Sequence, residues 1–162
     1  MTKQDTIIAR KILNNNPKRR EELKSPIDTG DGYIITDGYR LIKTAENIAL
    51  LEENYCSGYE TFFNRVLFET SKNDGECIKA PSIKALNDSI RNFRAQHDGD
   101  RPIYQVVDGV WVNAYYLRDM LTILKNATLK FSSAPNRERK YIYIDSPKGQ
   151  GILCPLADRK AG

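Results

Sequence analysis

The chain has 162 residues, a formal net charge of +4 and an isoelectric point near 8.9, with 40% apolar and 28% charged residues. That length suits one domain with a real core, and no stretch approaches the ~20 apolar residues of a bilayer span, which excludes a membrane partner from the expectation. The mildly basic balance permits nucleic-acid contact without demanding it. Met1-Thr2-Lys3-Gln4-Asp5 lacks the apolar core of a signal peptide. Cys56, Cys77 and Cys154 lie far apart, with no zinc-type pair and no disulfide framework, which fits a reducing cytoplasm.

Ile7, Ile8, Ile12 and Leu13 recur at helical spacing and predict a short amphipathic helix over residues 4–13. Asn14-Asn15-Asn16-Pro17 ends it, because Asn tolerates turn geometry and Pro cannot continue a helix. Arg19 to Lys24 has room for one more helical turn. Tyr33-Ile34-Ile35 and Tyr39-Arg40-Leu41-Ile42 then flank Asp37-Gly38, a hairpin signal, with the Asp37 side chain expected to hold the turn's backbone N–H groups.

Residues 46–53 suit a helical turn around Ile48, Leu50 and Leu51. Phe62, Phe63, Val66 and Leu67 suit a helix over Tyr59–Glu69, although Val66-Leu67-Phe68 also reads as strand. Residues 71–75 read as a loop. Pro81 opens a second helix whose stripe is Ile83, Leu86, Ile90 and Phe93. Ile103–Val107, Asp108-Gly109 and Val110–Val112 form a hairpin. Asn113 caps a helix that buries Tyr116 or Leu117 with Met120, Leu121 and Leu124. Strands over 128–131, 140–144 and 151–156 close the chain, Cys154 behaving as a small hydrophobe.

Catalytic and metal signatures are missing from this pattern, so neither an enzyme nor a cofactor is expected. His97, the lone histidine, sits beside Asp98 in a polar turn. Asp98 and Asp100 do not belong to a calcium-loop pattern. Gly30-Asp31-Gly32 and Gly149-Gln150-Gly151 lack the spacing and Lys of a phosphate loop. Basic residues cluster at Lys18-Arg19-Arg20, at Arg91 and Arg94, and at Arg137, Arg139 and Lys140, each explained first as a solvated face.

Three stretches bear a resemblance. Thr36-Asp37-Gly38-Tyr39-Arg40-Leu41 resembles the Thr-Asp-Gly-(His/Tyr)-Arg-Leu segment of bacterial DNA sliding clamps, the β subunit of the replicative polymerase. Residues 110–124 are similar to the clamp's short strand, Val-Asn-x-x-Tyr-Leu and apolar helix. Gly151-Ile152-Leu153-Cys154-Pro155-Leu156 resembles the clamp C-terminus, an apolar pair followed by Met-Pro-Met.

The resemblance implies an α+β, DNA-clamp-like domain over residues 1–157, an antiparallel sheet with helices packed on one face. Residues 46–101 would be a divergent or inserted helical region and 158–162 a disordered tail. It implies a non-enzymatic replication accessory or processivity-type scaffold. Thr36, Gly38, Tyr39, Arg40 and Leu41, with Ile152, Leu153, Cys154, Pro155 and Leu156, would form a groove for a short apolar peptide of replication proteins, Arg40 at its edge. Lys11, Arg91, Arg94 and Arg118 would face double-stranded DNA without sequence specificity. In the family the two groove segments come from adjacent domains, so this single domain would need head-to-tail homo-oligomers to bring them together. The alternative is a clamp-fold protein-interaction module, as in a mobile element, with neither ring nor DNA binding. A third expectation, a divergent enzyme, would require a cleft of convergent polar groups around Asp37 or His97.

Overall fold

The computed structural model describes residues 2–50, 58–72, 76–133 and 140–156. The expectations for residues 51–53, the loop at 73–75, Cys56, Arg137, Arg139 and the 158–162 tail lie outside these residues. The fold is mixed α+β. Its centre is a seven-stranded antiparallel sheet in the order β1-β2-β3-β9-β8-β7-β4. The strands are β1 (Ile27–Asp28), β2 (Tyr33–Thr36), β3 (Arg40–Thr44), β4 (Cys77–Lys79), β7 (Thr128–Ser133), β8 (Lys140–Ser146) and β9 (Gly149–Leu153). A separate hairpin pairs β5 (Ile103–Val107) with β6 (Val110–Asn113). The helices are α1 (Lys3–Asn14), α2 (Glu60–Ser71), α3 (Ile83–Gln96) and α4 (Ala114–Ile123), with a 3-10 segment over Lys18–Lys24. None among the described residues is long and apolar enough to cross a membrane.

Local chemistry explains most boundaries. Thr2 and Asp5 form a capping box that starts α1, and Ser82 accepts from the Ala85 N–H to start α3. Asn113 Oδ1 accepts from the N–H groups of Tyr115 and Tyr116 at 3.0 and 3.2 Å, so the expected cap of α4 is present. The amide of Asn16, 4% exposed, lies within 3.0 Å of the carbonyls of Leu13, Leu23 and Thr36. It ties the end of α1, the 3-10 segment and β2 together, a role beyond helix termination.

Strand parity divides the core in two. Leu41 pairs with Ile152, and Ile152 with Tyr143; these side chains join Ile34, Ile27 and Leu67 of α2 in one cluster. Their neighbours Ile35, Ile42, Ile142, Ile144 and Leu153 point the other way, into a cluster with Ile12 of α1, Leu86 of α3 and Leu117, Met120 and Leu124 of α4. Helices therefore cover both faces, which corrects the expectation of helices on one face. The cause is visible in the runs Tyr33-Ile34-Ile35 and Ile142-Tyr143-Ile144: continuous apolar strands are buried on both sides, whereas a one-sided sheet alternates. Residues 46–101 are also not wholly helical, because β4 extends the main sheet beside β7. Strands β3 and β9, which carry parts of the 36–41 and 151–156 segments, are direct neighbours, with Arg40 opposite Leu153 and Leu41 opposite Ile152. One chain thus supplies both segments, and the head-to-tail copies expected from the resemblance are not needed for them to meet.

A buried ionic cluster fixes the β2–β3 turn against the helices. Gly38 carries the positive φ of +90° that the turn requires. Asp37 Oδ1 accepts from the N–H groups of Tyr39 and Arg40 at 3.0 and 3.1 Å, as its position in the turn suggested. Its Oδ2 accepts from Arg40 Nε at 3.0 Å and from Asn15 Nδ2 at 2.9 Å. Arg40 Nη1 reaches Asp119 Oδ2 of α4 at 3.4 Å, and Lys11 Nζ of α1 reaches the same oxygen at 3.2 Å. The Arg40 guanidinium lies 4.0 Å from the centre of the Tyr116 ring. The side chains of Arg40 and Asp37 are 1% and 0% exposed, so neither charge has water as an alternative partner.

Two stability predictions follow from this packing. A Cβ at Gly151 would sit 2.8 Å from both Leu124 Cδ1 and Met120 Cε, so α4 rests directly on the β9 backbone. Gly151→Ala is expected to cost about 1–3 kcal/mol in urea unfolding through overpacking; an unchanged midpoint would show that α4 can lift away. Arg40→Met removes the cation that, among the described residues, Asp37 and Asp119 share, and is expected to cost about 3–5 kcal/mol in the same assay, the cost of stranding buried carboxylates.

Candidate binding cleft and arginine face

Between the β2–β3 turn, the end of β9 and α2 lies a cleft of about 400 Å³. Leu41 and Ile152, 6% and 5% exposed, form its base. Thr36, Gly38 and Tyr39 line the turn side, and Cys154 continues the strand side, its N–H donating to the Tyr39 carbonyl at 2.9 Å. Phe62, Phe63 and Val66 of α2 form the opposite wall, Tyr141 of β8 closes it, and Arg65 and Glu69 stand at the helix rim. Phe62 and Tyr39 are 51% and 61% exposed, large apolar surfaces beside a concavity. Beneath α2, burial raises the Tyr143 phenol above its ordinary value, with the Asp145 charge adding to the effect, so its hydroxyl stays protonated at neutral pH.

Of the ten groove residues expected from the resemblance, seven line this cleft: Thr36, Gly38, Tyr39, Arg40, Leu41, Ile152 and Cys154. Arg40 is not an exposed arginine at its edge, because its guanidinium is committed to Asp37 and Asp119. Leu153 faces the opposite cluster by strand parity. Pro155 and Leu156 lie past β9, where the Leu156 N–H donates to the Trp111 carbonyl at 2.8 Å, and neither lines the cleft. The α2 wall was not anticipated. Its signal was present in Phe62-Phe63, since a helix that buries Leu67 toward the sheet leaves Phe62 and Phe68 outward.

On the other side of the sheet, Arg91 and Arg94 of α3, Arg101 just before β5, and Arg118 of α4 line one depression of about 860 Å³. Lys11 lies outside it and approaches Arg118 only across Asp119, whose two oxygens contact Lys11 Nζ at 3.2 Å and Arg118 Nε at 3.9 Å. Three of the four residues expected to face DNA thus gather, and the fourth is held by the buried cluster. His97 is exposed and stacks on Phe93, with ring centres 4.4 Å apart. Asp37 is buried in its turn, and among the described residues no group of three or more His, Cys, Asp and Glu side chains is placed to hold a metal ion. Comparison with protein-family models, with curated proteins and with solved structures finds no match to this chain.

Proposed function

We propose that the protein is a non-catalytic, sliding-clamp-like adaptor that takes a short apolar peptide, of the kind carried by replication partners, into the cleft beside α2. The observation that supports this reading is the pairing of Leu41 with Ile152, which sets the two clamp-like strands side by side at the base of an apolar, open concavity. An extended peptide presents alternate side chains to one side, and a base of aliphatic groups walled by Phe62, Phe63 and Tyr39 suits such anchors. The recognition is complete within one chain, so the proposal is the interaction module and contains no ring. Duplex DNA has weaker support. The basic groups on the helix side are interrupted by Asp88, Asp98, Asp100 and Asp119 and form no continuous row.

The test is fluorescence anisotropy with short labelled peptides carrying Leu or Phe at alternate positions, measured against wild type and Phe62→Asp. Leu41→Asp is unsuitable because Leu41 belongs to the buried cluster. Phe62→Asp is expected to weaken binding at least about tenfold, or ~1.4 kcal/mol, with an unchanged melting temperature. Peptide affinity that ignores Phe62→Asp, or no affinity for any apolar peptide, would remove the cleft from the function.

A further inference from the structure

We infer that the arginine-lined depression between α3 and α4 binds single-stranded nucleic acid, with phosphodiesters on the guanidinium groups and a base on the adjoining aromatic surface. The cations there are under-used. Arg94 and Arg101 make no ion pair among the described residues. Arg91 meets Asp88 only at 3.6 Å with both side chains exposed, a contact worth little in water. Arg118 lines the depression, donates to Asn87 Oδ1 at 3.2 Å, lies over the Tyr115 ring at 5.1 Å and has Asp119 Oδ1 at 3.9 Å. Asp98 and Asp100 also line the site, and Asp88 and Asp119 lie 3.6 and 3.9 Å from Arg91 and Arg118, so the four guanidiniums have as many carboxylates nearby and the unpaired positive charge is local to Arg94 and Arg101.

Planar guanidiniums match phosphate oxygens bidentately, and exposed rings offer stacking that any base can use. The rings are at hand: His97, just past the end of α3, is exposed with one face stacked on Phe93, and Tyr115 at the start of α4 is half-buried beside Arg118. A duplex hides the faces of its bases and presents phosphate rows that Asp98 and Asp100 would interrupt. A single strand can set two or three phosphates among the arginines and lay a base on a ring. This inference concerns the face opposite the peptide cleft and stands independently of it.

The experiment is anisotropy of the full chain with a labelled oligo(dT) of about 16 nucleotides, at the upper end of site sizes for single-strand binders. A duplex of the same length, an abasic strand and a mononucleotide serve as competitors. Single-strand affinity is expected to fall with salt at a slope of about −0.7 per phosphate engaged. Arg94→Ala combined with Arg101→Ala is expected to weaken it about tenfold or more with an unchanged melting temperature. The abasic strand is expected to compete several-fold less well, and Phe62→Asp is expected to bind the oligonucleotide like wild type. Overturning results would be a double variant that binds like wild type, a duplex or abasic strand that competes equally, a mononucleotide as tight as the strand, or no binding at low salt.

Discussion

Arg40 is the constraint on which the arrangement of this protein turns. A guanidinium with almost no access to water must have carboxylates on hand, and it has two from different parts of the chain: Asp37 from its own turn and Asp119 from α4, more than seventy residues away. Breaking such a cluster by removing one member is costly, although a well-packed apolar replacement of the whole set can be neutral. Its value is therefore in specifying position. Asp37 accepts the Arg40 amide and Arg40 reaches Asp119, so the turn cannot flip without stranding charges. Lys11 and Asn15 extend the same constraint to α1, and the Tyr116 ring covers the guanidinium from above. The hairpin, α1 and α4 are held in one relation, and the adjacent cleft inherits that rigidity.

The same cluster assigns roles within the β2–β3 turn segment. In Thr36-Asp37-Gly38-Tyr39-Arg40-Leu41, successive residues are sorted by strand parity and by the turn. Gly38 allows the turn, Asp37 and Arg40 lock it internally, and Tyr39 and Leu41 are left to shape the cleft. The charged pair supplies scaffold, and the apolar pair supplies surface. A residue that looks like a ligand contact by analogy can thus serve one step back, positioning its neighbours.

How far the sequence reveals this architecture depends on the range of the determining forces. The Asp37-Gly38 turn, the Asn113 cap, the apolar stripe of α3 and the β5–β6 hairpin are decided by residues within a few positions of one another, and these were legible, although α3 starts from Ser82 and not from Pro81. The β3–β9 neighbourhood was not legible, since no local preference records which strand lies next to which and the resemblance had the two segments meet only between copies of the chain. The location of α2 was missed because the expected domain carried helices on one face of its sheet only. Leu41, Tyr143 and Ile152 needed an apolar cover, and the cover is an element more than a dozen residues beyond β3 in the chain. Asp119 was unremarkable in sequence, one carboxylate on a helix, and gains its role only when α4 is laid across the turn.

The two-sided cover also separates the chemistry of the molecule. Apolar side chains of α2 border the concavity on one face, with Arg65 and Glu69 at its rim carrying opposite charges that leave little net field there. On the other face α3 and α4 gather arginines whose repulsion is relieved in part by Asp98, Asp100, Asp88 and Asp119. The seven-stranded sheet lies between them, and the Arg40 cluster is anchored to both α4 and the β2–β3 turn. A ligand on the arginine face that shifted α4 would act on Asp119 and hence on the turn carrying Tyr39. Coupling of that kind requires two arrangements of the cluster. A fully buried guanidinium with both carboxylates at hydrogen-bond range favours one arrangement, so the two faces are built to act as independent surfaces on a common rigid frame.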